Sequence, residues 1–211
     1  PAAPGYRQDR LNVDTVSGKL RITTTSGIQH LAENSLDNAL GVGLNLPSAT
    51  VTVKTTLSDI PSAPGGWAQA GLWFGGAGDF GRGTSEDDYI KLVIASPSSG
   101  SFVVQAAMEQ GGVTVEATTA NIPSTLSSVT LTLFADPATR SVQARYNLGS
   151  GDQTLRTFTN VPDEWFSFDQ AGIDPTVAAR PEDLVAFVVL HREITAVAVE
   201  ELVFGVEQVL G

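Results

Sequence analysis

The sequence predicts an all-β fold, a sandwich or barrel of antiparallel strands, and three observations carry that prediction. Valine- and threonine-rich runs with period-two alternation recur along the chain. Glycine (21) and proline (11) punctuate these runs at intervals of roughly 10–15 residues. No apolar pattern of period 3.6 is long enough to make a packed helix.

The runs can be justified in order. Lys19 to Thr25 alternates, with Leu20 and Ile22 on one face. Ala39 to Leu46 is a glycine-broken strand, and Ala49 to Leu57 sets Val51 and Val53 against Thr52 and Lys54. Ala68 to Phe74, Tyr89 to Ala95 and Ser101 to Glu109 follow, then Gly112 to Ala117, Val129 to Ala135, Val142 to Asn147 and Leu155 to Thr159. Leu184 to His191 and Val197 to Val206 close the series. Helical signals are confined to a turn within His30 to Leu40, one turn in Asp163 to Gln170, and the proline-first start Pro181-Glu-Asp-Leu184. Strands in one continuous series, with no internal repeat, predict a single domain over residues 11–211. Residues 1–10, opening Pro-Ala-Ala-Pro-Gly, read as a linker or N-terminal extension within a larger multidomain polypeptide.

Composition removes several classes of function. A net charge of −11, from 23 acidic and 12 basic residues, repels phosphate, so neither nucleic acid nor an anionic membrane surface is expected as a partner. No apolar run reaches the roughly 18 residues of a membrane span, and no membrane insertion is expected. The absence of cysteine excludes disulfides, thiolate metal sites and cysteine nucleophiles. His30 and His191 are the only imidazoles, and neither sits in a triad or zinc-ligand pattern.

Period-two arithmetic assigns faces to the central strands. Ala70, Leu72 and Phe74 share a side, as do Ile90, Leu92 and Ile94, and Phe102, Val104, Ala106 and Met108. These predict the face that packs on a second sheet. Trp73, Tyr89, Lys91, Gln105 and Glu109 fall on the opposite face if the strands pair in sequence order. Such a set suits saccharide binding: an indole packs on the C–H face of a pyranose, while amide and charged groups hydrogen-bond its hydroxyls. The plain alternative is a loop laid over Trp73. Trp67 follows Pro64-Gly-Gly66 and is expected to begin a strand at a sheet edge; Trp165, with Phe166 and Phe168, is expected to anchor one end of the sandwich.

Gln69-Ala-Gly-Leu-Trp-Phe74, then Glu86-Asp-Asp-Tyr-Ile-Lys-Leu-Val93, then Ser101-Phe-Val-Val-Gln105 resemble the concanavalin A-like lectin/glucanase superfamily. More narrowly they resemble the bacterial laminin-G-like modules. Gly18-Lys-Leu-Arg-Ile22, Tyr146-Asn-Leu-Gly-Ser-Gly-Asp152, Ala171-Gly-Ile173 and Val199-Glu-Glu-Leu-Val203 agree in order. The chain departs from the pattern at Gln153-Thr-Leu155, where a tryptophan is usual, and at Glu200. The resemblance implies a two-sheet antiparallel jelly-roll sandwich with a concave face. It also implies a carbohydrate-binding, lectin, adhesive or accessory role in a secreted or cell-surface bacterial protein.

The expected function is therefore non-catalytic binding of a poly- or oligosaccharide on the concave sheet. Trp73 is the platform, Tyr89, Lys91, Gln105 and Glu109 are contacts, and Arg82 joins them from the Gly75–Gly83 loop. A structural or adhesive spacer with no small ligand is the alternative, and a glycoside hydrolase a third reading. Hydrolysis needs two carboxylates at set separation, whereas Glu86-Asp87-Asp88 and Glu200-Glu201 are contiguous and point to alternate sides. Gly75–Gly83 lacks the Lys-Ser/Thr of a phosphate loop. No cofactor is required. Calcium is an option, through the oxygens of Asp79, Glu86, Asp87 and Asp88, with Asp9, Asp14 and Glu200 as a second set. If calcium binds the native state, melting in excess calcium will exceed melting in chelator; identical midpoints in a calorimetric scan remove it.

Overall fold

The computed structural model describes residues 11–14, 19–22, 29–31, 33–34, 40–42, 49–58, 60, 63, 65–75, 88–166, 186–191 and 197–207. Alternation governs the first long strand. In β6 (Thr50–Ser58) Val51, Val53, Thr55 and Leu57 are buried, while the threonines and lysine between them are half-buried. The earlier strands are β1 (Leu11–Asp14), β2 (Lys19–Ile22), β3 (Gln29–His30), β4 (Glu33–Asn34) and β5 (Leu40–Val42). The later ones are β7 (Ala68–Gly75), β8 (Tyr89–Ser96), β9 (Phe102–Gln110), β10 (Val113–Ile122), β11 (Ser128–Asp136), β12 (Ser141–Asn147), β13 (Gln153–Thr159), β14 (Ala186–His191) and β15 (Val197–Glu207).

They form a seven-stranded sheet in the order β1-β2-β15-β6-β11-β12-β13 and a six-stranded sheet in the order β10-β9-β8-β7-β14-β5. Pairing is antiparallel in both sheets. The architecture is the expected two-sheet jelly-roll sandwich. The short N-terminal strand β2 pairs with the last strand β15, and β7 to β10 pair in sequence order.

The core is the meeting of the two inner faces. Leu57, Leu131, Leu133 and Phe158 come from the seven-stranded sheet, and Leu72, Phe74, Ile90, Leu92, Ile94 and Val104 from the six-stranded one. The assigned apolar faces are thus the packed ones. A 3₁₀ turn, Asp163–Phe166, buries Trp165 and Phe166 in the same core, with the Phe166 ring 5.5 Å from that of Phe74. Gly71 is required by close approach, since a Cβ there would collide with the Leu92 carbonyl and lie 2.6 Å from Val93 Cα. The β9–β10 hairpin turns through Gly111 and Gly112, both at positive φ, as its two-residue connection demands. At the open edges, Arg156 of β13 reaches Glu116 of β10 across the two sheets, Nη2 to Oε2 at 2.5 Å.

Two expectations are corrected. His30 to Leu40 holds no helical turn among its described residues; β3 and β4 pair as a short hairpin with Leu31 at its turn, at φ 55°. Trp67 does not start an edge strand, because β7 lies between β8 and β14 in the sheet interior. The helix start expected at Pro181–Leu184 lies outside the described residues.

Thr55 is the one polar side chain of β6 that alternation aims at the core. It is fully buried and its Oγ1 has no hydrogen-bonding partner among the described residues. Thr55→Val is expected to raise stability by about 1 kcal/mol, because an unsatisfied buried hydroxyl is replaced by a methyl of similar shape. Leu92→Ala, which empties a fully buried site, is expected to cost about 2–5 kcal/mol. Urea denaturation of both variants checks the pair.

Candidate ligand-binding face

The outer face of the six-stranded sheet gathers the groups that alternation places opposite the core. Register sets Tyr89 directly across from Glu109, and Trp73 across from Lys91. Cross-strand neighbours at these spacings are within side-chain reach. The Tyr89 hydroxyl donates to Glu109 Oε2 at 2.7 Å, and Lys91 Nζ lies 3.9 Å from Oε1. The Trp73 and Tyr89 rings are 5.6 Å apart, inclined at 36°. Four of the six expected ligand-binding residues, Trp73, Tyr89, Lys91 and Glu109, therefore form one cluster around a carboxylate.

Two further members come from far along the chain. The Leu31 amide donates to Glu109 Oε2 at 2.6 Å, and His30 Nδ1 lies 3.0 Å from Oε1. The β3–β4 turn is thereby fastened to the sheet. Nothing local in the sequence marks His30 and Leu31 as partners of a residue nearly eighty positions away.

The cluster's sheet residues are buried beneath an exposed His30 and Leu31. Trp73 and Tyr89 have no accessible surface, Glu109 has 1% and Lys91 7%. This corrects the expectation that Trp73 is a solvent-facing platform; alternation assigns a side chain to a face but does not say whether another segment covers that face. Val93, Ala95 and Val103 form a second buried group on the same outer side. Gln105 is half-buried, and beyond it Thr119 and Asn121 of β10 are exposed. Thr119 pairs with Gln105, and Asn121 with Val103, so these three make an accessible polar strip beside the covered aromatics.

Burial and hydrogen bonding set the charge states. Burial pushes the Tyr89 phenol far above its usual range, and the bond to Glu109 and its charge add to this, so the hydroxyl stays protonated. Burial pulls the Lys91 ammonium down, with the Glu109 charge working against it. For Glu109, burial pushes up, but the Tyr89 hydroxyl, the Leu31 amide, Lys91 and His30 together outweigh it and hold the carboxyl below its usual range. The cluster is a carboxylate kept ionised by surrounding donors.

The remaining expected residues fall elsewhere. Arg82, Asp79, Glu86 and Asp87 lie outside the described residues, as does Asp9. Asp88 Oδ1 accepts the Gly111 amide at 2.6 Å, so this carboxylate braces the β9–β10 turn. Among the described residues no three acidic or histidine side chains converge as a metal site. Likewise no helix there is long and apolar enough to cross a membrane.

No family model matches the chain, and no curated protein sequence does. Solved structures do. The fold is a jelly-roll sandwich. GH43B of the Bacteroides ovatus xyloglucan PUL superposes with a TM-score of 0.64 at 14% identity, over 95% of this chain and 35% of that one. A functionally unknown Saccharomyces cerevisiae protein gives 0.63 at 11%, over 96% and 94%. A legume lectin-like domain from Entamoeba histolytica gives 0.51 at 10%, over 89% and 83%. This chain spans about a third of GH43B. At these identities the likeness establishes the fold.

The Glu109 cluster has a defined pH signature. A carboxyl whose folded pKa is depressed contributes stability that is complete above its unfolded value, about 4.3, and is lost as pH falls through the folded one. Glu109→Gln is expected to lower stability at pH 7 by about 3–5 kcal/mol, since Lys91 is left buried without its counter-charge. The same variant should flatten the acid limb of the stability profile. Adding Lys91→Met should recover part of the loss. Urea midpoints from pH 3 to 8 for the single and double variants test this.

Proposed function

We propose that the chain is a non-catalytic carbohydrate-recognition module of laminin-G-like type, part of a secreted or cell-surface bacterial polypeptide. It holds a poly- or oligosaccharide on the outer face of the six-stranded sheet. The observation that carries this reading is the Tyr89–Glu109–Lys91 group beside Trp73. A plain structural sandwich gains little from burying three ionisable side chains on the outer side of a sheet, because their desolvation works against folding. A saccharide site draws on groups of this kind, and here the half-buried Gln105 amide beside the covered cluster is the one left open to a ring hydroxyl. Gln105, Thr119 and Asn121 give the saccharide its accessible polar contacts.

The charge states support binding over hydrolysis. A general acid needs a carboxyl pushed up towards neutrality, and Glu109 is pushed down. With Tyr89 and the Leu31 amide donating to one oxygen, Glu109 is an acceptor already in use. Calcium is an optional addition to this reading and supplies no step in it.

A second reading has its own support. The complete burial of Trp73 and Tyr89 favours a structural or adhesive spacer in which the β3–β4 turn has taken the place of a ligand. A glycan array in calcium and in chelator separates the two. The binding reading expects array-positive glycans, and titration of one against Gln105→Ala should show affinity weakened roughly fivefold, the loss of one neutral hydrogen bond. A blank array with folded protein leaves the spacer.

A further inference from the structure

All three tryptophans of the chain are described, and they differ sharply. Trp73 is fully buried and Trp165 is 3% exposed, whereas Trp67 is 46% exposed. Trp67 lies in the turn that leads into β7. The Ala68 amide donates to the Gly65 carbonyl at 3.3 Å, and the two residues between them, Gly66 and Trp67, have φ of 64° and 62°. That is the left-handed geometry of a type I′ turn, which glycine and asparagine fill readily and a bulky aromatic does not. A costly backbone conformation at a side chain left half in water is not explained by packing. Strain of this kind collects where a side chain is being held for contact with something else.

The turn is also clamped. The Trp67 amide donates to the Ser96 carbonyl at 2.8 Å, the Gly65 amide to Ser96 Oγ at 2.8 Å, and the Gly100 amide to the Ala63 carbonyl at 3.0 Å. Gly65 packs so closely on the neighbouring loop that a Cβ would come within 2.8 Å of the Ser99 nitrogen. That loop carries Ser98 and Ser99, both exposed. A half-exposed indole on a clamped turn therefore stands at the same end of the sandwich as the exposed Ser98 and Ser99. With a net charge of −11 on the chain, an anionic ligand is disfavoured.

We infer that Trp67 is a stacking platform for the pyranose ring of a neutral saccharide, at the end of the sandwich where β7 begins and β8 ends, with Ser98 and Ser99 as its polar neighbours. The ligand class rests on the carbohydrate reading above; the place does not, for Trp67 is roughly 20 Å along β7 from Trp73. A platform whose backbone is clamped in advance has less freedom to lose on binding.

The test uses Trp67→Gly, with Trp67→Asn as the second variant because asparagine also tolerates left-handed φ. The probes are cellohexaose, xylohexaose and mannohexaose, and the readouts are calorimetric titration and acrylamide quenching of tryptophan fluorescence, which reports the exposed indole. At least one hexasaccharide should bind wild type and shield Trp67 from acrylamide. Both variants should bind it at least tenfold more weakly, with melting temperatures equal to wild type or a few degrees higher as the strain is relieved. Binding lost in Trp67→Gly and kept in Gln105→Ala supports this site and sinks the outer-face placement. Binding kept in Trp67→Gly and lost in Gln105→Ala overturns this site and leaves the outer-face reading standing. The inference also fails if no hexasaccharide shields the indole, or if both variants melt several degrees lower.

Discussion

Both faces of β7 and β8 are buried along their whole length, and this constraint orders the rest of the molecule. A strand buried on one side answers to alternation alone. One buried on both must place every residue against a neighbour and satisfy every polar group it carries. The inner side of β7 and β8 meets the constraint with Leu72, Phe74, Ile90, Leu92 and Ile94. The outer side meets it with Trp73 on Tyr89, and with Tyr89 and Lys91 on Glu109. Gly71 belongs to the same account, because the backbone of β8 leaves it no room for a side chain.

The sequence reading and the structure part company where distance along the chain enters. The inner faces of β6 to β9 were legible because period two is a local property, and Leu72, Ile90 and Val104 sit where alternation puts them. So was the grouping of Trp73, Tyr89, Lys91 and Glu109, once the hairpins paired in order. Their burial was not legible. It involves His30 and Leu31, whose segment reads locally as a broken helical turn and becomes a hairpin through bonds to Glu109. The Trp67 turn is illegible for a related reason: Gly-Gly-Trp reads as the start of a strand, and its left-handed φ is visible only in the backbone. The Asp79–Asp87 acids belong to a stretch outside the described residues, so the calcium expectation stands where the sequence left it.

The Glu109 cluster is better understood by what an apolar substitute would lack. Replacing a buried ion pair with hydrophobic residues of like volume often leaves stability unchanged or raises it. What a leucine at 109 would not do is direct its neighbours. A carboxylate offers several lone-pair positions in fixed directions, and here they are met by a phenol from β8 and by a backbone amide and an imidazole from the β3–β4 hairpin. The amide belongs to Leu31, whose positive φ has a cost that a non-directional contact does not offset.

The same directional capacity links the two readings of the outer face. A saccharide hydroxyl and a backbone amide ask the same thing of a carboxylate, a short donor bond along a lone pair. With Tyr89 and the Leu31 amide on Oε2 and His30 on Oε1, the β3–β4 turn takes the acceptor positions that a bound ring would need. On the binding reading, affinity here is the difference between ligand donors and the turn's own donors, not the ligand's contacts alone. Trp67 faces no such competition: its indole stands in solvent before any ligand arrives, and the hydrogen bonds at Ser96 have already fixed its turn. A saccharide that meets both surfaces meets a prepared one at the end of the sandwich and a contested one across the sheet.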